Sequence, residues 1–194
     1  MLSPHPDDAE YSLSGTILKF KDTTFDILIM SSGGDFDRAD EERIKEVREF
    51  WKNVPNVNVL GSRHSFIKEA TEDVLIKWVE QNTNFFQVVF TPPFEDFHFE
   101  HRTINCVGKA LTRKRKVSFI EYNTPSTSHT WNPNLFVDVS EQYEEKKIKL
   151  QVFETQRQRT YFNEESVDSF HTNYFCNKRT FGQVEMFRVD FVFV

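Results

Sequence analysis

The chain has 194 residues, a formal net charge of −6 and a pI near 5.6. That is long enough for a single domain over 1–194 with its own core, and too acidic for a binder of nucleic-acid backbone, since basic runs such as Arg113-Lys114-Arg115-Lys116 are brief. No stretch approaches the roughly 20 apolar residues that span a bilayer, and no basic segment leads into an apolar run at the N-terminus, so a cytoplasmic protein without a membrane span is expected.

The chain opens on His5-Pro6-Asp7-Asp8, a turn offering an imidazole and two adjacent carboxylates beside the start of a helix that runs through Ser14 to Phe20. Phe25 to Met30 reads as a buried strand, followed by the loop Ser31-Ser32-Gly33-Gly34-Asp35. A helix from about Asp40 to Lys52 places Ile44, Val47, Phe50 and Trp51 on one stripe. Asn56 to Leu60 is a short strand. The stretch Glu72 to Gln81 is a helix capped by Thr71, with Val74, Leu75, Trp78 and Val79 inward.

Phe86 to Phe90 is a strand that runs into Thr91-Pro92-Pro93 and then into Asp96-Phe97-His98-Phe99-Glu100-His101-Arg102. There two histidines crowd beside two acids at the start of a helix whose Ile104, Val107 and Leu111 face inward. Val117 to Tyr122 is a further strand, 123–133 a polar loop, Leu135 to Val139 a strand, Ser140 to Gln158 a helix, and Gln183 to Val194 a final strand. Strands alternating with amphipathic helices predict an α/β, Rossmann-like three-layer sandwich around a mainly parallel sheet. In such sheets sites gather at the C-terminal ends of strands, where both histidine clusters fall. The 21 phenylalanines are expected to fill the core. Cys106 and Cys176 lack CxxC spacing and read as idle or buried thiols, and His64, His129 and His171 as structural or solvent-facing.

Imidazole and carboxylate ligands suit zinc, and three protein ligands leave a coordination position for water. His5, Asp8 and His101 form such a set; Asp7 is left as a general base, His98 as donor to an oxyanion, and Glu100 as the acid that orients the His98 ring. A metal-dependent phosphoesterase fits less well, because two-metal sites need more ligands than these clusters offer.

The two motifs, Pro4-His5-Pro6-Asp7-Asp8-Ala9-Glu10 and Asp96-Phe97-His98-Phe99-Glu100-His101-Arg102, resemble the PIG-L/LmbE family of zinc-dependent N-acetylglucosaminyl deacetylases. Further likeness lies in Ser14-Gly15-Thr16, Gly33-Gly34-Asp35, Arg43 with Glu46, Asp138, Lys146 or Lys147, Gln156, and Gly182, Glu185 and Phe187. The resemblance implies a zinc-dependent N-deacetylase, Zn2+ or another divalent metal being its cofactor and a small N-acetylated amino sugar or its conjugate its substrate. It gives His5, Asp8 and His101 as metal ligands, Asp7 and His98 as catalytic groups, and Arg43 with Asp96 as substrate contacts. An amidase for a larger N-acyl group, or a non-catalytic α/β module derived from this fold, are the alternatives. Phe99 and Glu100 depart from the family's Pro and Asp. The family's first motif ends a buried strand, of which only Met1-Leu2-Ser3 stands here, so the sheet is expected to lack its first strand and an apolar strand is expected upstream of Leu2.

Overall fold

The computed structural model describes residues 1–32, 41–61, 67, 70–113, 116–172 and 182–193; Gly33-Gly34-Asp35, His64 and Cys176 lie outside them. Its elements are β1 (Leu2–Ser3), α1 (Asp8–Lys19), β2 (Phe25–Ile29), α2 (Glu41–Trp51), β3 (Val57–Gly61), α3 (Glu72–Asn82), β4 (Val88–Thr91) and α4 (Phe99–Thr112). Then follow β5 (Ser118–Tyr122), β6 (Leu135–Asp138), α5 (Tyr143–Leu150), α6 (Glu164–His171) and β7 (Val184–Phe191). β1, β2 and β3 pair in parallel, as do β4 and β5, while β7 runs antiparallel between β5 and β6. β1 also packs against β4, so the two hydrogen-bonded parts meet at β1.

The strand expected to be missing is thus present as a two-residue stub. The ladder continues past it: Leu28 N–H donates to Met1 O (2.9 Å), Met30 N–H to Ser3 O (2.8 Å) and Ser31 N–H to Pro4 O (2.9 Å). The His5–Asp8 turn therefore hangs from the end of a parallel ladder, as its chemistry requires.

Alternation along the strands divides the core in two. Phe25, Ile27 and Ile29 of β2 and Ile120 and Tyr122 of β5 join α1 and α2 on one face; Leu28, Met30, Phe119 and Val117 join α3 and α4 on the other. Gly108 lets α4 lie flush on the sheet, since a Cβ there would collide with Thr91 Cγ2. That contact fixes where the first turn of α4 meets the end of β4.

Three expectations need correction. Val74 is 43% exposed, and α3 buries Leu75 and Val79 instead. The helix expected to reach Gln158 ends at Leu150 and gives way to 3-10 turns at Glu154–Gln156 and Thr160–Phe162. Beyond the helix end Phe153 takes a non-helical backbone (φ −79, ψ 68), and its ring is buried with its centroid 5.8 Å from that of Phe50. Phenylalanine fills the core only in part: Phe25, Phe50, Phe119, Phe153 and Phe187 are buried, while Phe85, Phe94, Phe97 and Phe99 are exposed.

Candidate metal centre and active site

Asp7 begins α1 with φ 124, a left-handed value rare for any residue but glycine. Among the described non-glycine residues it is the only such case, and strain of this kind costs about 1–3 kcal/mol. Glu10, one turn on, accepts from the Asp7 N–H (3.2 Å) and from Trp51 Nε1 (2.6 Å), which ties the strained turn to α2. Ser3 Oγ donates to His5 O (2.8 Å) and accepts from Ala9 N–H (3.2 Å), closing the turn from the other side.

The turn brings His5 and Asp8 against His101 from the first helical turn after β4. His5 Nδ1 and Asp8 Oδ2 are 3.1 Å apart, His101 Nε2 and Asp8 Oδ2 3.3 Å, and His101 Nε2 and His5 Nδ1 3.4 Å. A tetrahedral ion with bonds of about 2.0–2.1 Å has ligand-to-ligand edges of roughly 3.3–3.4 Å, so the donor triangle fits a zinc-like ion. His98 also lies near, its ring centroid 4.8 Å from those of His5 and His101. The three imidazoles of His5, His98 and His101 likewise bring ligand atoms within 4.8 Å of one another. The triangle that includes Asp8 is tighter and its members are more buried.

Glu100 and Asp96 hold other places than expected. Glu100 does not orient His98: one of its carboxylate oxygens bonds His5 Nε2 and the other accepts from Ile67 N–H at 3.0 Å. Residues two apart on a helix start point away from each other, so Glu100 faces away from His98. Asp96 does not face substrate, because its side chain is fully buried. It accepts from Thr124 Oγ1 (2.6 Å), Ser126 Oγ (2.7 Å) and the His98 N–H (2.7 Å), and stands 3.0 Å from His101 Nδ1. The two acids thus each hold one of the ring nitrogens that the donor triangle leaves over, the arrangement that fixes ligand histidines elsewhere.

Asp7 Oδ1 meets Arg43 Nη2 at 3.3 Å, and Arg43 also donates to Pro6 O at 2.9 Å. Asp7 Oδ2 is buried with no hydrogen-bond partner among the described residues. Burial pushes the Asp7 carboxyl up to about 7 against the opposing charge of Arg43. Burial would lower His5 and His101, but bonds from Asp8 and Glu100 raise His5 to about 9, and the charge and bond of Asp8, with Asp96, raise His101 to about 10. Burial would raise Asp8, and the two histidines hold it well below the usual carboxylate range instead. His98 is lowered by burial and then by His5 and His101.

These groups floor a cleft of about 430 Å3 whose walls include Tyr11, Arg43, Pro125, Ser126, Gln156, Arg159 and Tyr161. The expected His5, Asp7, Asp8, Arg43, His98, Glu100 and His101 all line it, and Asp96 lies behind. Sequence reading missed Thr124, Ser126, Arg159 and Tyr161. The first two sit in a loop whose polarity was visible, whereas nothing local marks Arg159 or Tyr161, which reach the cleft from the 3-10 turns after α5.

A family model described as PIG-L, GlcNAc-PI de-N-acetylase, matches residues 1–112. No curated protein sequence matches the chain. Among solved structures, the conserved protein TT1542 of Thermus thermophilus is similar at 20% identity and TM-score 0.73, covering 100% of this chain and 94% of that one. The N,N'-diacetylchitobiose deacetylase of Pyrococcus horikoshii is similar at 19% identity and TM-score 0.69, covering 97% and 81%. GalB, the 4-carboxy-2-hydroxymuconate hydratase of Pseudomonas putida, matches at 13% identity and TM-score 0.72, covering 100% and 95%. A hydratase beside a deacetylase at similar likeness means that these matches speak for the fold alone.

Proposed function

The chain belongs to the PIG-L, GlcNAc-PI de-N-acetylase, family, and from that premise we propose that it is a zinc-dependent N-deacetylase of a small N-acetylated amino sugar or its conjugate. The observation that carries this reading is the donor triangle of His5, Asp8 and His101, with edges of 3.1, 3.3 and 3.4 Å, beside a carboxylate oxygen of Asp7 that no described group engages. The Pyrococcus deacetylase acts on an N-acetylated sugar, and a cleft of about 430 Å3 lined by tyrosines, Arg43 and Gln156 suits a ligand of that size and polarity.

His5, Asp8 and His101 would hold the ion. When bound, a zinc-like ion supplies positive charge that polarises the amide carbonyl and makes water nucleophilic near neutral pH. Asp7 accepts the proton of the attacking water at Oδ2 and passes it to the leaving amine, so that amide and water become acetate and amine. His98, at the mouth of the cleft, donates to the oxygen on which negative charge grows. Arg43 holds Asp7 through Oδ1 and presents its guanidinium edge to the sugar.

The test is acetate release from N-acetylglucosamine derivatives by zinc-loaded protein, compared with chelator-treated protein and with Asp7→Asn. Release that depends on metal and falls by about 10²- to 10⁴-fold in the metal-retaining variant is expected. Metal uptake without hydrolysis of any N-acyl sugar overturns the enzymatic reading in favour of a binding module.

A further inference from the structure

Beneath the metal turn lies a second polar cluster that the reaction does not use. Lys146, Glu185 and His171 are all fully or almost fully buried. Lys146 Nζ stands 2.5 Å from Glu185 Oε1 and 2.7 Å from His171 Nε2, and His171 Nδ1 donates to Val167 O at 2.7 Å. Burial and the Lys146 charge keep the imidazole well below its ordinary value, so it is a neutral acceptor toward the ammonium.

The cluster is wired to α1 where that helix breaks. Leu13 has φ −145 and ψ 17, so α1 is two helical pieces joined at a kink. In an unbroken helix the Gly15 and Thr16 N–H groups would donate to the carbonyls of Tyr11 and Ser12. They turn to Glu185, at 2.8 and 2.6 Å. On the other side of the break, the His171 ring packs beside Tyr11, their ring centroids 6.1 Å apart. Gly15 makes the approach possible, since a Cβ there would lie 3.0 Å from Glu185 Oε1 and 2.8 Å from Val139 Cβ. One carboxylate thus caps the second helical piece while the His171 ring packs against Tyr11 of the first, and the first piece carries Asp8 and follows Asp7.

We propose that Lys146, Glu185 and His171 are positioning residues for the metal centre: by fixing the break at Leu13 they set where Asp8 stands relative to His5 and His101. The proposal rests on the metal reading above. If the break closed, the helix would recover its Tyr11–Gly15 and Ser12–Thr16 bonds at the expense of the turn, and the 3.1–3.4 Å triangle would lose one corner.

Cobalt(II) titration of the purified full chain, followed by its visible absorption, tests this. Glu185→Gln keeps a carbonyl for one helix donor and turns an amide NH2 toward the other. It is expected to weaken Co2+ binding by about 10- to 100-fold and to change the ligand-field spectrum, the usual scale for groups that orient ligands, while thermal unfolding stays cooperative. Wild-type affinity and spectrum in a folded Glu185→Gln protein overturn the proposal. Should that variant not fold, Lys146→Gln, which retains an amide donor toward Glu185, carries the same comparison and the same two outcomes. If the unaltered protein binds no Co2+, the metal reading itself has failed, and positioning is then decided on the metal-free protein by NMR: ring-proton shifts of His5 and His101 that move in the variant support it, and unmoved shifts overturn it.

Discussion

The cleft and the Lys146 cluster both bury histidine beside carboxylate, yet they treat charge in opposite ways. In the cluster the cation is the protein's own: Lys146 stands between Glu185 and His171, and the remaining carboxylate contacts go to Gly15 and Thr16 N–H groups. At the cleft the converging atoms of His5, Asp8 and His101 can all offer a lone pair to a cation once the imidazoles give up their protons, Asp7 keeps an unengaged buried oxygen, and its backbone is strained. A closed polar network rigidifies a fold. An open one holds groups ready for something that arrives from solution, and residues kept in costly states cluster where chemistry is done. The difference predicts that damage to the first region will be read mainly in stability, reaching the metal only through the turn that the cluster positions, and damage to the second directly in metal and turnover.

The largest effect should come from the open region. His101→Ala is expected to abolish stoichiometric metal binding and with it activity, while leaving a cooperative unfolding transition; metal analysis of the purified variant checks this, and retention of one ion at unchanged affinity would assign the site to other ligands. Lys146→Met should instead show its main loss in stability, with metal binding weakened rather than abolished. Leaving Glu185 charged and buried without its partner is expected to cost about 3–5 kcal/mol, a large share of the roughly 5–15 kcal/mol that holds a domain together. Urea unfolding measures it, and a loss below about 1 kcal/mol would show that the cluster is no keystone.

Asp7→Gly sharpens the comparison from within the cleft. Glycine adopts φ 124 without strain and removes a buried carboxylate that is engaged only through Oδ1, by Arg43, so the variant should be inactive yet more stable by about 1 kcal/mol, after allowance for glycine's greater freedom when unfolded. A thermal midpoint at or below that of the unaltered protein would count against a strained turn. The smallest effect is in protons. In the metal-free protein His5 titrates near 9 and His101 near 10, both raised above an ordinary value of 6.5. Their contribution to stability is therefore complete below about pH 6.5 and lost as pH rises through 9 and 10. Metal needs both imidazoles neutral, so its uptake at pH 7 should release close to two protons, and affinity should fall as pH falls. Calorimetry in two buffers of different ionisation enthalpy counts those protons; a count near zero would mean that the histidines are already neutral.

Local pattern carried much of this molecule. The strand at Phe25–Ile29, the helices beginning near Glu41, Glu72 and Phe99, and both clusters of histidine and acid could be read from spacing, because apolar periodicity and short motifs are properties of adjacent residues. The parallel part of the sheet was legible for the same reason. What spacing could not settle were the contacts made at long range. Asp96 and Glu100 stand within five residues of His101, and only the packing of α4 on the sheet decides that one is buried behind His101 while the other reaches His5. The choice of Lys146 over Lys147 was likewise open in sequence; Lys146 points into the core, and Lys147 pairs with Glu144, Glu164 and Asp168 at the surface. Tyr161 and Arg159 join the cleft because α5 ends at Leu150 and the chain turns, with Phe153 buried against Phe50, before it reaches them. The sequence by itself determined which residues carry ligand chemistry and where most of the strands and helices lie, since both follow from side-chain chemistry and near-neighbour geometry. The tertiary structure alone decided which carboxylate serves which histidine and where α1 breaks, since those depend on hydrogen bonds that reach as far as 170 residues along the chain.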